Sequence, residues 1–329
     1  MKLKNASNSL DENSDFMSRD IVQALSEDTG LLMSDVRRII ASAEVSYKTY
    51  QIPKRNGGLR NIAQPSRQVK LLQRSLMKIL LSKLPVHSSA TAYVVGKSIY
   101  SNAEPHKGKG RAILKMDFKD FFPSIRSIDW INYCKNNNIL SEEDRLITAK
   151  ILFKREFNVR GTRLAIGAPS SPLLSNIIMY DFDKLLSDNL KNVSYTRYAD
   201  DLTFSASRTG YMVNIQKDVR KILKTILYPK LFINDKKTVY ATTKYKRVVT
   251  GIILTNDGKL SIGRDKKRKI SASVHHAKLG LLAPDEAKKL SGYLAYVNVV
   301  EPDFLKKLKI KYGEDIIKFL KQFGNPNIN

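Results

Sequence analysis

The stretch Tyr198-Ala199-Asp200-Asp201 decides how this chain is read. Val193-Ser-Tyr-Thr-Arg-Tyr198 leads into it and Leu202-Thr-Phe-Ser-Ala206 leads out, two short runs of β-type composition. Such runs meeting at a polar pair predict a hairpin with two carboxylates at its tip. Adjacent carboxylates repel each other, so an ordered pair needs a counter-charge, and a divalent cation is the most economical one. Taken alone, the pair reads more readily as a solvated Asp-Asp turn.

A second acidic stretch upstream shifts the balance. Arg111-Ala-Ile-Leu-Lys-Met-Asp117 alternates as a strand, and Pro123 in Asp120-Phe121-Phe122-Pro123 forces a turn soon after. Asp117 therefore stands at the end of an apolar strand. Three acids on neighbouring strands would clamp two Mg²⁺ ions about 3.5–4 Å apart, with Mn²⁺ as a substitute. That arrangement stabilises the attacking and leaving oxygens of an in-line phosphoryl transfer.

Composition agrees. The 329 residues are 42% hydrophobic and carry a formal charge of +26, an excess that points to a polyanionic partner, most often nucleic acid. A membrane surface is the other polyanion, but no apolar run approaches the roughly 20 residues that span a bilayer. The start, Met1-Lys-Leu-Lys-Asn-Ala-Ser, lacks the hydrophobic core of a signal peptide. The single Cys134 excludes an internal disulfide framework and fits a reducing cytoplasm, and four scattered His give no zinc spacing.

Along the chain, 18–25 and 31–40 read as amphipathic helices. Residues 45–62 read as a hairpin turning at Asn56-Gly57-Gly58, and 68–84 as another helix. From 111 onward strands and helices alternate: a strand to Asp117, helices near 127–154, a helix after Pro172 and the acidic hairpin. A helix near 213–227 and strands near 231–240 and 246–254 follow. The remainder is helical and basic, with 20 Lys and Arg against 8 Asp and Glu from residue 236 onward.

These stretches resemble a known family. Asp117-x-x-x-Phe-Phe and Tyr-Ala-Asp-Asp resemble motifs A and C of a reverse transcriptase palm. Gly167-Ala168-Pro169-Ser-Ser-Pro172-Leu-Leu-Ser-Asn176 resembles motif B. Asn102-Ala-Glu-Pro-His106 matches the Asn-Ala-x-x-His signature of bacterial retron reverse transcriptases, and Val249-Thr250-Gly251 their Val-Thr-Gly signature. Arg60-Asn-Ile-Ala-Gln-Pro65 resembles a retron fingers segment, so that the motifs cover about residues 45–255 in the family's order.

The resemblance implies an α+β right-hand polymerase: N-terminal helices and fingers over 1–110, palm over 111–254, and a basic helical, RNA-binding thumb over 255–329. It implies Asp117, Asp200 and Asp201 as catalytic metal ligands and Lys237 as the cation at the leaving pyrophosphate, with Lys236 the competitor. Arg60, Lys54, Asp120, Phe121, Phe122, Gly167, Ala168 and Pro169 would surround the dNTP. Within that set Phe122 acts as the gate against a 2′-hydroxyl, and Phe121 equally reads as a core side chain. Asn102, His106, Val249, Thr250 and Gly251 would meet RNA or primer, joined by Arg264, Lys267 and Arg268 of the thumb. Ile166 departs from the pattern, since many relatives carry a Gln there that touches the nascent pair.

Such enzymes copy part of a cognate structured noncoding RNA from a guanosine 2′-hydroxyl, giving branched RNA–DNA called multicopy single-stranded DNA. They work in the bacterial cytoplasm, in anti-phage defence, generally with a separate effector protein. Two other classes stay open here: another bacterial reverse transcriptase of the group II intron type, and a noncatalytic RNA-binding scaffold on the same fold.

Overall fold

The computed structural model describes residues 20–54, 57–207 and 210–323. Ser18 and Arg19 of the first expected helix and Asn56 of the expected turn lie outside them.

Helix α1 (Ile21–Thr29) starts where the Asp20 carboxylate accepts from the Val22 N–H, and it stops at Gly30, at φ 71. Helix α2 (Met33–Ser42) follows, then the hairpin of β1 (Tyr47–Pro53) and β2 (Leu59–Pro65). Gly57 and Gly58 both take positive φ at its turn. Helix α3 (Arg67–Ile79) is capped by Ser66 and buries Val69, Leu72, Gln73 and Leu76, one face at helical spacing. The short helix α4 (Ile99–Ala103) precedes β3 (Ala112–Asp117) and the single turn α5 (Phe121–Ser124). Helices α6 (Ser127–Asn136) and α7 (Glu142–Leu152) lead to the small hairpin β4 (Lys154–Arg155) and β5 (Thr162–Arg163).

Next come α8 (Ser171–Ile178), α9 (Tyr180–Asn189), β6 (Ser194–Tyr198), β7 (Asp201–Ala206) and α10 (Tyr211–Thr225). Strand β8 (Val239–Ala241) completes a four-stranded antiparallel sheet in the order β6-β7-β3-β8. Strand β3 is central and mostly buried, as its run of Ala, Ile, Leu and Met requires. Strands β9 (Arg247–Val249), β10 (Ile252–Leu254) and β11 (Leu260–Ser261) form a second sheet. Four helices close the chain: α11 (Arg264–Lys278), α12 (Pro284–Val300), α13 (Pro302–Tyr312) and α14 (Glu314–Gln322).

Two apolar cores result. One joins α1–α3, strands β3, β6 and β7, and α6–α10; the other joins β9–β11 to the four last helices and meets the four-stranded sheet at Ile113. Among the described residues no helix is long and apolar enough to cross a membrane.

Two strand expectations need correction. Only Val239–Ala241 of the stretch 231–240 pairs as a strand. Residues before it run irregularly along the end of β3, where Lys119 N–H donates to the Phe232 carbonyl and Asn234 N–H to that of Asp117. The stretch 246–254 is two strands, because Thr250 (φ 44) and Gly251 (φ 84) make a two-residue turn with both φ positive.

Candidate active site

The sheet register brings the acids together. Asp117, the last residue of β3, lies opposite Asp201, the first of β7, and the Phe118 N–H donates to the Asp200 carbonyl at 3.1 Å. Residues about 80 apart in sequence thus become cross-strand neighbours. The turn between β6 and β7 has two central residues, Ala199 and Asp200, and Ala199 takes φ 56. An alanine in the left-handed region is strained, and the buried Arg197 helps hold it: its Nη1 donates to the Ala199 carbonyl at 3.2 Å.

Arg197 is the anchor of this region. Its guanidinium is fully buried, donates from Nε and Nη2 to both oxygens of the equally buried Asp183 on α9, and from Nη1 to Asn176 Oδ1 on α8. The Tyr195 hydroxyl donates to the same Asp183 carboxylate at 2.7 Å. The network ties the motif B helix and the following helix to the acidic turn. Sequence reading missed it, since an Arg between β-formers looks like a solvent-facing residue; only its burial separates the two cases.

The carboxylates sit in an electrostatically crowded corner. Burial raises the Asp200 carboxyl to about 6, and the negative charges of Asp117 and Asp201 push in the same direction. Asp201 is raised as well, chiefly by burial. Lys237 answers part of this charge: its Nζ donates to both Asp117 oxygens, at 2.9 and 3.0 Å, which holds the ammonium above its ordinary range. Of the two competing lysines, Lys237 is the one that reaches the acids. It gets there because 235–237 form a single 3₁₀ turn beside the end of β3.

Among the described residues no group of three or more His, Cys, Asp or Glu side chains is gathered closely enough to hold a metal ion. The chemistry of the donors nevertheless fits divalent cations. Asp117, Asp200 and Asp201 converge at one partly desolvated end of the sheet, where burial first and the neighbouring acids next raise the Asp200 carboxyl, and carboxylate oxygens are the donors such cations prefer.

The other expected site residues are distributed unevenly. Asp120 is exposed at φ 46, Phe122 is half-buried, and Phe121 is buried and stacked on Phe118 at 5.7 Å between centroids. Phe121 is therefore a core side chain, the other of the two readings its position allowed. Arg60 and Lys54 are exposed on the β1–β2 hairpin.

Gly167 takes φ +115, and a Cβ there would lie 2.9 Å from Ile62 Cγ2 and 3.1 Å from the Ala63 carbonyl oxygen. The close approach that this glycine permits is thus to β2, reinforced by the Ala63 N–H donating to Ile166 O. Ala168 packs with Ala63 and Ala165 in the same seam, with Pro169 half-buried beside it. The backbone carbonyl of Ile166 is what the seam uses, so a Gln side chain is not needed for it.

The signature residues expected to meet RNA require correction. Asn102 and His106 are completely buried. Asn102 Oδ1 accepts from Thr91 Oγ1 and its Nδ2 donates to Thr250 Oγ1 at 3.4 Å, so the two retron signatures bond to each other. His106 bridges the β6–β7 hairpin, with Nδ1 2.8 Å from Ser205 Oγ and Nε2 2.8 Å from Thr196 Oγ1. Burial, aided by the Arg111 charge, drives its pKa down to about 3, so the ring is neutral. Val249 is core. Thr250 is half-buried, and Gly251 alone of the three is exposed. Lys267 is engaged by Glu301 and lies over the Phe304 ring, whereas Arg264 and Arg268 are exposed.

With this geometry established, the comparisons are decisive. Residues 52–272 match the family described as reverse transcriptase (RNA-dependent DNA polymerase). The chain is 38% identical over 283 residues to the retron Ec83 reverse transcriptase of Escherichia coli, covering 84% of this chain and 90% of that protein. The chain belongs to the retron reverse transcriptases. The retron Ec73 reverse transcriptase of the same organism is 35% identical over 289 residues, again covering 84% and 90%. Among solved structures, telomerase from Candida albicans aligns with a TM-score of 0.46 at 16% identity, over 87% of this chain and 60% of that one. This retron reverse transcriptase is accordingly an RNA-directed DNA polymerase of α+β fold, working on an RNA template.

Proposed function

We propose that this enzyme copies part of a cognate structured noncoding RNA into DNA, starting from a guanosine 2′-hydroxyl and leaving branched RNA–DNA. The observation that carries the reading is the Asp117–Asp201 register, which sets motif A against motif C. Asp117, Asp200 and Asp201 would hold two Mg²⁺ ions, with Mn²⁺ a substitute, and the ions when bound supply charge stabilisation at the attacking and leaving oxygens.

The chain's own residues do the rest. Arg60 and Lys54 draw the triphosphate by charge, Arg60 with a bidentate fork. Lys237, half-exposed and able to leave Asp117, gives a proton or a positive charge to the departing pyrophosphate. Phe122 lies under the sugar and excludes a 2′-hydroxyl, the backbone at Asp120 meets the phosphates, and Gly167, Ala168 and Pro169 brace the fingers over the nascent pair. Arg264 and Arg268 take phosphates of the RNA on the thumb. In this reading 1–110, 111–254 and 255–329 act as fingers, palm and thumb. The reaction takes place in the bacterial cytoplasm, and the product stays bound, serving anti-phage defence with a separate effector protein.

Primer extension on an RNA template with dNTPs tests the chemistry, run with Mg²⁺, with Mn²⁺ and with chelator. An Asp200→Asn/Asp201→Asn variant should lose the signal; equal signals would refute the assignment. Nucleic acid that copurifies, digested separately with RNase and DNase and sequenced, should be an RNA–DNA branched at one guanosine. Finding unbranched nucleic acid would overturn the priming claim.

A further inference from the structure

The segment Tyr93-Val94-Val95-Gly96, between α3 and α4, is used by none of the assignments above. Tyr93 is 51% exposed and Val95 wholly so, although Ala90 and Ala92 just before them are core. Tyr93 also takes φ 60. A bulky aromatic in the left-handed region is an outlier that persists only where surrounding structure over-determines it, and such outliers cluster at functional sites.

What over-determines it here is visible. The Thr91 N–H donates to the Arg197 carbonyl at 2.8 Å, Asn176 Nδ2 donates to the Ala92 carbonyl at 2.8 Å, and Lys97 Nζ donates to the Ala90 carbonyl at 2.8 Å. The residues leading into Tyr93 are therefore clamped to β6 and α8, the same two elements that hold the acidic turn. The phenol is raised above its ordinary range by burial first and by Asp200 and Tyr198 next, while Arg60 of the fingers opposes. The ring thus lies within the fields of the catalytic turn and the fingers hairpin.

An apolar tip within the field of the Asp200 carboxylate is a poor place for a phosphate. A nucleobase suits it: every base has a π face, and stacking needs no counter-charge. We propose that Tyr93, with Val95 beside it, is a stacking platform for a nucleobase of the primer–template held at the catalytic turn. This rests on the polymerase assignment of that turn. The strained backbone fixes the ring before substrate arrives, so less ordering entropy is lost on binding.

The experiment compares Tyr93→Phe, Tyr93→Ala and Tyr93→Gly in the full chain. It reads primer–template affinity by fluorescence anisotropy, extension kinetics and the denaturant midpoint. Tyr93→Ala should weaken binding and raise KM for primer–template about 5- to 150-fold, with kcat and the midpoint little changed. Tyr93→Phe should bind as the parent does. Tyr93→Gly relieves the positive φ and should still bind as weakly as Tyr93→Ala, which separates contact from fold.

2-Aminopurine placed at the templating base, or at the primer end, shows by quenching which strand stacks; quenching unchanged by Tyr93→Ala in both positions would overturn the proposal. So would parental affinity in the Ala and Gly variants, or equal losses in Phe and Ala. The binding arm reports on Tyr93 whether or not the parent extends primers, whereas a parent without extension speaks against the polymerase reading itself.

Discussion

Lowering the pH should destabilise this protein through His106, and a variant can isolate the effect. The imidazole is fully buried between Ser205 and Thr196 and stays neutral, with a pKa of about 3 against 6.5 for the free side chain. Between those values the unfolded chain binds a proton that the native state refuses, so stability falls as pH drops below the unfolded value. Near pH 5 the loss from this one residue is about 2 kcal/mol, growing to about 4 kcal/mol near pH 3, where the native ring is half protonated. Other groups titrate in the same range, so the measurement must be a difference. Urea melts of the parent and of His106→Gln at about pH 7.5 and about pH 5 give four stabilities. Gln keeps hydrogen-bonding capacity but does not titrate, so the variant starts less stable and should lose about 2 kcal/mol less across the interval. Parallel losses in the two proteins would refute the claim that the buried neutral ring carries this pH dependence.

Three further perturbations test the site. Asp183→Asn leaves the Arg197 guanidinium buried with a neutral partner and should cost about 3–5 kcal/mol in a denaturant melt; a loss under about 1 kcal/mol would show that the pair is not an anchor. Gly167→Ala drives a methyl into Ile62 and the Ala63 carbonyl at a φ that alanine resists. It should cost about 1–3 kcal/mol or shift the fingers hairpin, seen as faster proteolysis near residues 54–60. Phe122→Ala should raise incorporation of ribonucleotides relative to deoxynucleotides in extension assays, and unchanged discrimination would remove Phe122 as the gate.

The phosphate contacts proposed for Arg264 and Arg268 can be tested by salt. Removing Arg264 and Arg268 together should lower the slope of log affinity against log salt by about 2, roughly one per phosphate contact. An unaltered slope would place both arginines off the nucleic-acid path.

The sequence by itself determined the family and most of the order of the elements. Asp117, Asp200 and Asp201 stand out in it because carboxylates beside strand-forming runs are the residue types that the proposed metal chemistry demands. The basic helical end was legible from charge and periodicity. Only the tertiary structure decided what the polar residues do when chemistry does not restrict them to one use. Arg197, Asn102 and His106 look alike in sequence to surface groups, yet all three are buried and bonded inward, because partners as far as 148 residues away satisfy their donors and acceptors. Gly167 shows the same limit: the resemblance sets it beside the dNTP, whereas the backbone it closely approaches is that of β2. Which lysine meets Asp117 was likewise settled by a single 3₁₀ turn, a matter of a few backbone angles that no local preference specifies.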